Sequence, residues 1–335
     1  MTGQCTAVQS ARMFDALVLA GGIVCLLAGG HTLVSGAVTI ASRLGVSTLI
    51  VGLTIVAMGT SMPELAFNVI AAWSGHSDLS FGNIVGSNIT NIGLVLGFTV
   101  VVTPLVVHSR VVSKELPWLV VVTIVAGLVT LLPFTEKPGF GLWSGCVMLA
   151  LFGMFLATWY RMGRADRTDA MVKGLGEEAE AETHGSMKGA IVRIMTGLVA
   201  LAVGGNLAED GAVGLARAMG LSEALIGLTI VALATSLPEL STALIAVRRG
   251  HHDLAVGNIV GSNLFNLLLV LGLTTVIKPV PRPAYGGWDL GAMIAITVLL
   301  WCMALTNKFK ITRWEGALLL FLYFGYMTWC VWREM

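Results

Sequence analysis

Ten long apolar runs follow one another along the chain, and short polar connections join them. They lie near residues 14–41, 46–74, 80–103, 116–134, 141–160, 189–216, 221–247, 256–277, 288–306 and 314–332. A helix needs about 20 apolar residues to cross a bilayer. The two-residue alternation typical of membrane barrels is missing. The pattern therefore predicts an all-α integral membrane protein with ten transmembrane helices.

Composition excludes a soluble protein. Hydrophobic residues make up 56% of the chain and charged residues 12%, with a mean hydropathy of +0.85. Soluble domains carry about 25% charged residues, so this chain has half the usual charge. The net charge of +1 gives no electrostatic reason to expect a nucleic-acid partner. The five cysteines show no CxxC spacing and are interpreted as small buried hydrophobic residues.

One hydrophilic segment, 161–188, divides the chain and is interpreted as a linker between two halves. Its acidic run (Glu177, Glu178, Glu180 and Glu182) fits a solvated linker better than a regulatory cation sensor. With ten spans, 14 of the 20 Lys and Arg residues fall on one face of the membrane. The positive-inside rule makes that face cytoplasmic. We therefore expect a multi-pass protein of a prokaryotic cell membrane, with both termini outside and the linker in the cytoplasm.

The stretch GTSMPELAFNVIAAWSGHSDLSFGNIVGSNITN at 59–91 recurs at 234–266 with an offset of 175 residues. Between Gly45 and Gly97 the two copies are identical at 31 of 53 aligned positions, without a gap. The chain is therefore a duplication. Its predicted halves are 1–160, with the repeated motif at 57–97, and 189–335, with the motif at 232–272.

Five spans separate the two copies, and an odd number means that the second copy enters the membrane from the opposite face. The fold class predicted is therefore two inverted five-helix repeats. Such inverted-topology repeats recur among secondary transporters, whose substrates bind near the bilayer midplane.

Glu64 and Glu239 are equivalent positions of the two copies, and each lies deep within an apolar run. A carboxylate there is costly unless it faces a cavity or a partner. The spans that carry the copies hold no Lys or Arg except at their ends. A permanently protonated Glu is one interpretation. A cation site is favoured, because inverted symmetry can bring the two carboxylates together.

Pro63 and Pro238 precede these glutamates and are predicted to kink their helices, because proline removes a backbone donor and clashes with the preceding turn. Carbonyls of the kinked turns, near Ala57 and Thr60 and near Ala232 and Thr235, are expected to lose helical partners. Hydroxyls, carbonyls and a carboxylate at one kink are hard oxygen ligands that suit Na⁺ or Ca²⁺.

The next helix of each copy carries GNIVGSN followed by Asn. Ser87 and Asn91 are four residues apart, as are Ser262 and Asn266, so each pair shares one helix face. The glycines of this motif are interpreted as packing residues. The remaining asparagines are predicted to face other directions and to be structural; they are Asn83, Asn88, Asn258 and Asn263.

The motifs GTSMPEL with GNIVGSNITN, and ATSLPEL with GNIVGSNLFN, resemble the paired alpha-repeats of the calcium/cation antiporter superfamily. Over its whole length the chain is similar to the ten-helix prokaryotic sodium/calcium exchangers. The resemblance implies Na⁺/Ca²⁺ exchange by alternating access at a mid-membrane site, with no catalytic residue and no cofactor. It implies that helices 1 and 6 slide across the other helices, eased by Gly29, Gly30, Gly204 and Gly205. We also expect the protein to be a monomer in the membrane lipid.

The resemblance also implies the roles of individual residues. Glu64 and Glu239 would bind the metal ion Ca²⁺, assisted by Thr60 and Thr235. The two glutamates would also take part in Na⁺ sites, and Asn91 and Asn266 would complete the centre. The other Na⁺ ligands implied are Ala57, Ser61, Ser87, Ala232, Ser236 and Ser262.

Departures from the family pattern bear on which ions are coupled. Asn266 stands where potassium-dependent members carry Asp, which argues against potassium dependence. Gly86 and Gly261 stand where the calcium/proton branch carries Glu, which makes a Ca²⁺/H⁺ antiporter the alternative and not the favoured function. A cation channel is a further, less favoured alternative. Glu209 and Asp210 in helix 6 have no acidic counterpart in helix 1, and an accessory site and an interfacial pair both remain open for them.

Overall fold

A computed structural model of the protein describes residues 2–75, 77–131, 138–172, 186–219, 232–306 and 308–334. The described chain is almost entirely helical. In order, its helices are α1 (Thr2–Leu44), α2 (Thr48–Thr60), α3 (Met62–Trp73), α4 (Leu79–Val102), α5 (Val111–Val129), α6 (Leu142–Val172), α7 (Met187–Ala218), α8 (Ala232–Ala234), α9 (Leu237–Arg248), α10 (His252–Ile277), α11 (Gly286–Leu305) and α12 (Arg313–Glu334).

The membrane spans follow the apolar pattern. Among the described residues, eight helices are individually long and apolar enough to cross a bilayer, and the bent pair α2 and α3 makes a ninth if it is counted as one span. The predicted seventh span, 221–247, is described only from residue 232, as α8 and α9. Helix α6 continues through Val172, so the beginning of the expected linker is helical.

The predicted kinks are present at equivalent places in both copies. Helices α2 and α3 meet at 43°. The break falls at Ser61, with φ −89° and ψ 8°, and Ser236 has nearly the same backbone angles, −95° and 4°. Pro63 and Pro238 are each the second residue of the helix that follows. Proline fits there because the first turn of a helix does not use its N–H groups.

Helices α4 and α10, the second motif of each copy, form the core. In the most apolar window of each, 83% of the residues are buried, against 22–33% in α1, α6, α7 and α12. Helix α10 packs across α2, and α4 contacts α9, so each copy's core helix touches the broken helix of the other copy. This interleaving places residues from both copies around one centre.

Helices α1 and α7 lie side by side, and glycine allows their backbones to approach closely. A Cβ at Gly29 would lie 2.8 Å from the backbone nitrogen of Leu201, and one at Gly204 would lie 2.7 Å from that of Leu26. Their sequence neighbours, Gly30 and Gly205, instead face α9. Two of the four glycines expected to ease sliding therefore lie at the α1–α7 interface.

Two short antiparallel ribbons join the copies at their ends. Strand β1 (Leu105–Val106) pairs with β4 (Lys310–Ile311), and β2 (Gly139–Phe140) pairs with β3 (Val280–Pro281). Each ribbon takes one strand from each half of the chain, so both ends of the core are tied across the repeat boundary.

Candidate functional site

Two buried carboxylates, one from each copy, lie at the centre of the fold. Glu64 and Glu239 are each the third residue of a helix that begins at a kink, α3 and α9. Their exposed fractions are 2% and 0%. Ser61, three residues before Glu64, lies 3.5 Å from Oε1 of Glu239. The fold thus brings together two residues that are 175 positions apart in the sequence.

Most of the oxygens of these carboxylates have no hydrogen-bond partner in the described part of the chain. Both oxygens of Glu64 and Oε2 of Glu239 accept no hydrogen bond from the part of the chain that the structure describes. Neither carboxylate forms an ion pair with a described Lys or Arg. Burying such groups without partners is costly. The site is therefore a strong acceptor for cations or protons.

One serine links the copies directly. The Ser61 hydroxyl donates to Oε1 of Glu239 at 3.5 Å. Ser236, the equivalent serine of the second copy, has an Oγ without a hydrogen-bond partner among the described residues. The pairing between kink serine and opposite carboxylate is therefore formed on one side only.

Thr60 also reaches into the other copy. Its Oγ1 lies 3.2 Å from Oδ1 of Asn258 and 3.4 Å from Oγ of Ser262. The prediction that Asn258 faces away from the site was wrong. Asn258 and Ser262 are four residues apart in α10 and share one face, a spacing that the sequence already contained.

The expectation that the Ala57 carbonyl loses its helical partner was also wrong. The Ser61 amide donates to it at 3.0 Å, and the Thr60 hydroxyl lies 3.4 Å from it. The kink breaks the helix after this hydrogen bond, because Pro63 begins the next turn. In the second copy the Ser236 amide donates to the Leu233 carbonyl at 3.1 Å.

The Ser and Asn residues of the second motif are buried in the core helices α4 and α10. Ser87, Ser262, Asn91 and Asn266 are all 5% exposed or less. The side-chain amide atoms of Asn91 and Asn266 have no partner among the described residues. Each of these asparagines is also the first residue of a π-helical turn, Asn91–Leu96 and Asn266–Val270. Such turns occur frequently at functional sites.

The second copy's kink is described in part. Thr235 lines the cavity that reaches the site. Ala232 begins α8, and its side chain lies outside the described ones. No group of three or more His, Cys, Asp or Glu side chains able to hold a metal occurs among the described residues. Besides the two glutamates, a cation here must therefore use neutral oxygens.

Sequence reasoning missed Asn68 in α3. Its amide donates to the Glu64 carbonyl at 2.7 Å and to Oδ1 of Asn83 at 2.6 Å, so it ties the carboxylate's turn to α4. The repeat did not reveal it, because the equivalent residue of the second copy is Ala243. The available signal was its position one turn after Glu64 on the same helix face.

A cavity of about 490 Å³ extends from Ser87 and Thr235, two of the predicted site residues, to Asp289 and Arg333 near the ends of α11 and α12, and neither of the two central glutamates lines it. Ser87 and Thr235 line its inner part, and Glu209 from α7 also lines it. Asp289 and Arg333 belong to its wall and form an ion pair with N···O distances of 2.7 and 3.1 Å. The otherwise unexplained Glu209 thus borders a route to the site, whereas Asp210 is exposed.

Packing around the centre is unequal at the two faces. Helix α1 packs along α9, where a Cβ at Gly30 would lie 2.7 Å from Cδ1 of Ile245. The equivalent packing of α7 on α3 is far less extensive. The molecule is therefore closed at the face where α9 ends in Arg248 and open at the face where α3 ends in Trp73.

Comparison with protein families gives one consistent result. The family model described as sodium/calcium exchanger protein matches residues 14–161 and 189–332. The protein CaxA of Alkalimonas amylolytica is 40% identical over 309 residues, which cover 91% of this chain and 95% of CaxA. The sodium/calcium exchanger MaX1 of Methanosarcina acetivorans is 29% identical over 342 residues, covering 93% and 97% of the two chains.

Solved structures agree with the sequence relatives. A structure of the sodium–calcium exchanger NCX_Mj, soaked with Na⁺ and Sr²⁺, matches with a TM-score of 0.79 and 29% sequence identity. The match covers 94% of this chain and 98% of that one. The similarity extends over nearly the whole fold, including the described parts of both repeats.

Proposed function

Because the chain belongs to the sodium/calcium exchanger family, we propose that it exchanges Na⁺ for Ca²⁺ through one central site in which Glu64 and Glu239 hold the cations. It is a secondary transporter and not an enzyme. The observation that carries the assignment of the site is the pair of buried carboxylates, one from each inverted copy. Three of their four oxygens accept no hydrogen bond from the described residues.

Charge explains why exchange is coupled. Two carboxylates place about −2 at the centre, which one Ca²⁺ or two monovalent cations neutralise. A site that is empty and charged resists passage through a low-dielectric membrane. Each cation must therefore leave before the other binds, and the site moves between faces only when it is loaded. This logic yields antiport from a single site.

We assign ligands to the two ions by geometry and by the family resemblance. Ca²⁺ is bound by Glu64 and Glu239, with Thr60 and Thr235 assisting, and Asn91 and Asn266 complete the centre. Na⁺ uses the same carboxylates together with neutral oxygens. These come from Ala57, Ser61, Ser87, Ala232, Ser236 and Ser262.

The unequal packing suggests how access alternates. With the Lys- and Arg-rich face cytoplasmic, both termini lie outside the cell and the cavity bordered by Glu209 opens outward. Sliding of α1 and α7 across the remaining helices would close this cavity and open its counterpart on the inside. Because glycines let the backbones of α1 and α7 pack closely together, the two helices can move as a pair. We expect the protein to work as a monomer in the cell membrane.

Flux measurements with three internal solutions test the coupling. Proteoliposomes are loaded with Na⁺, with K⁺ or with acid, and uptake of ⁴⁵Ca²⁺ is followed, with protein-free liposomes as the control. We expect rapid uptake from Na⁺-loaded vesicles alone. Uptake driven by acid would replace the proposal with Ca²⁺/H⁺ antiport. Uptake that needs no opposing ion gradient would indicate a channel.

A further inference from the structure

A second cavity, of about 460 Å³, lies away from the cation site, between the ends of α5 and α6. Lys114, Glu115 and Trp118 line it from α5, and Trp159 and Arg161 line it from α6. These residues lie at the Lys- and Arg-rich ends of their spans, at the level where a span meets the membrane surface. The cavity does not include the residues assigned to cation binding.

Two buried polar groups in this cavity have no hydrogen-bond partner among the residues that the structure describes. Glu115 is 2% exposed, and neither of its carboxylate oxygens accepts a hydrogen bond from a described residue. The Arg110 guanidinium forms an ion pair with it, but the 3.8 Å separation exceeds hydrogen-bonding distance. The indole N–H of Trp118 is likewise buried without an acceptor among the described residues. A ligand in this cavity would need both to donate and to accept hydrogen bonds.

At the equivalent position the second repeat holds an ion pair formed by its own side chains. Lys114 corresponds to Asp289 with the offset of 175. The register of the two ribbons gives an offset of 171 for the last helix of each repeat, so Met162 corresponds to Arg333. Arg333 donates to both oxygens of Asp289, and Tyr326 donates to Oδ1 at 2.9 Å. The buried Asp289 carboxylate therefore has hydrogen-bond donors within the protein, whereas neither oxygen of Glu115 accepts a hydrogen bond from a described residue.

The charge around the cavity is positive. Lys114 and Arg161 line it, and Arg110 offsets the charge of Glu115, so two positive charges remain in excess. Basic pockets between transmembrane helices on the cytoplasmic side suit anionic lipid headgroups. Aromatic walls such as Trp159 suit the boundary between headgroup and acyl chain.

We propose that this cavity binds phosphatidylglycerol from the surrounding membrane. Lys114 and Arg161 bind its phosphate, and the indole of Trp118 donates to a phosphate or ester oxygen. A headgroup hydroxyl donates to Glu115. The assignment to the cytoplasmic leaflet rests on the proposed orientation of the chain.

Native mass spectrometry of the full chain in detergent, titrated with lipids of matched acyl chains, tests this site. We expect phosphatidylglycerol to bind most tightly, phosphatidylethanolamine less tightly and phosphatidylcholine least, because the last has neither net charge nor a donor. The double variant K114Q/R161Q is expected to weaken phosphatidylglycerol binding by about tenfold or more. The control K188Q/K310Q removes two exposed charges from the same face outside the cavity and should leave the affinity unchanged.

Two results would overturn the proposal. One is equal binding of phosphatidylcholine and phosphatidylglycerol, or tighter binding of phosphatidylethanolamine than of phosphatidylglycerol. The other is an equal loss of affinity in the two double variants. Thermal unfolding of each variant without added lipid checks that it is folded. Because lipid retention is measured apart from ion flux, failure here leaves the proposed exchange untouched, and failure of exchange leaves the lipid site testable.

Discussion

The two halves of the cation site have nearly the same sequence but make different contacts. In one half, Glu239 accepts a hydrogen bond from Ser61 of the other copy. In the other half, Glu64 accepts none from the described residues, and Ser236 has no partner there. The same residue types thus make different hydrogen bonds in the two halves of one molecule.

Helix packing shows the same inequality. Helix α1 lies along α9 and closes one face, whereas α7 makes little contact with α3 and a cavity remains at the other face. In an inverted repeat, exchanging the conformations of the two halves turns an arrangement open to one face into one open to the other face, and the two are related by rotation about a two-fold axis in the membrane plane. The difference between the halves therefore describes one end state of an access cycle, and each prediction below perturbs one half against the other.

The largest effect is expected from the carboxylates. Glu64→Gln and Glu239→Gln should each reduce Na⁺-dependent ⁴⁵Ca²⁺ uptake by at least about a hundredfold, because one remaining charge cannot neutralise Ca²⁺ in a low-dielectric site. Glu180→Gln, in the hydrophilic segment, is the matched control and should transport normally. Substantial uptake by either carboxylate variant would show that this half is dispensable for exchange.

Access to the site should differ between the halves. In a cysteine-free background, Asn83→Cys borders the cavity, whereas its repeat equivalent Asn258→Cys is fully buried. A membrane-impermeant thiol reagent added outside should label the first at least about tenfold faster, because thiol reactivity requires access. Labelling is followed by mass shift. Similar rates at both positions would contradict a one-sided opening.

The kink serines test the unequal hydrogen bonding. Ser61→Ala removes the donor to Glu239 and should raise the Ca²⁺ concentration for half-maximal uptake by about tenfold, in line with the cost of a lost hydrogen bond to a charged group. Ser236→Ala should change it by about threefold or less, since its hydroxyl has no partner in this state. Equal changes in the two variants would mean that both serines contribute equally over the transport cycle, whichever of them is hydrogen-bonded in this state.

The smallest effect is expected from glycines that are equivalent in the repeats. A Cβ at Gly30 would press on Ile245, whereas one at Gly205 would lie 3.7 Å from Pro238 in ordinary contact. Gly30→Ala should therefore destabilise the closed face and slow outside labelling of Asn83→Cys by about twofold to threefold, a small shift because Ile245 can rotate. Gly205→Ala should leave the rate unchanged. A larger change in labelling rate for Gly205→Ala than for Gly30→Ala would place the strain in the other half.

Much of this protein follows from local sequence. Apolar runs of span length predicted the membrane helices, because the missing water in a bilayer forces each run into a helix. Pro63 and Pro238 predicted the breaks, because proline acts on its own helix. The exact offset of the repeat predicted that Glu64 and Glu239 are equivalent, and the odd number of spans between the copies predicted their inversion.

Contacts between helices were decided by the tertiary structure. The sequence holds Asn258 as one of four similar asparagines, and only the crossing of α10 over α2 places it on Thr60. Pattern likewise gives no reason for Asp289 to pair with Arg333 or for Glu209 to border a cavity. Nor does it distinguish Ser61 from Ser236. The repeated sequence specifies two equivalent halves. A single conformation, however, opens the site to only one face of the membrane at a time, and the packing of α1 and α7 makes the two halves unequal.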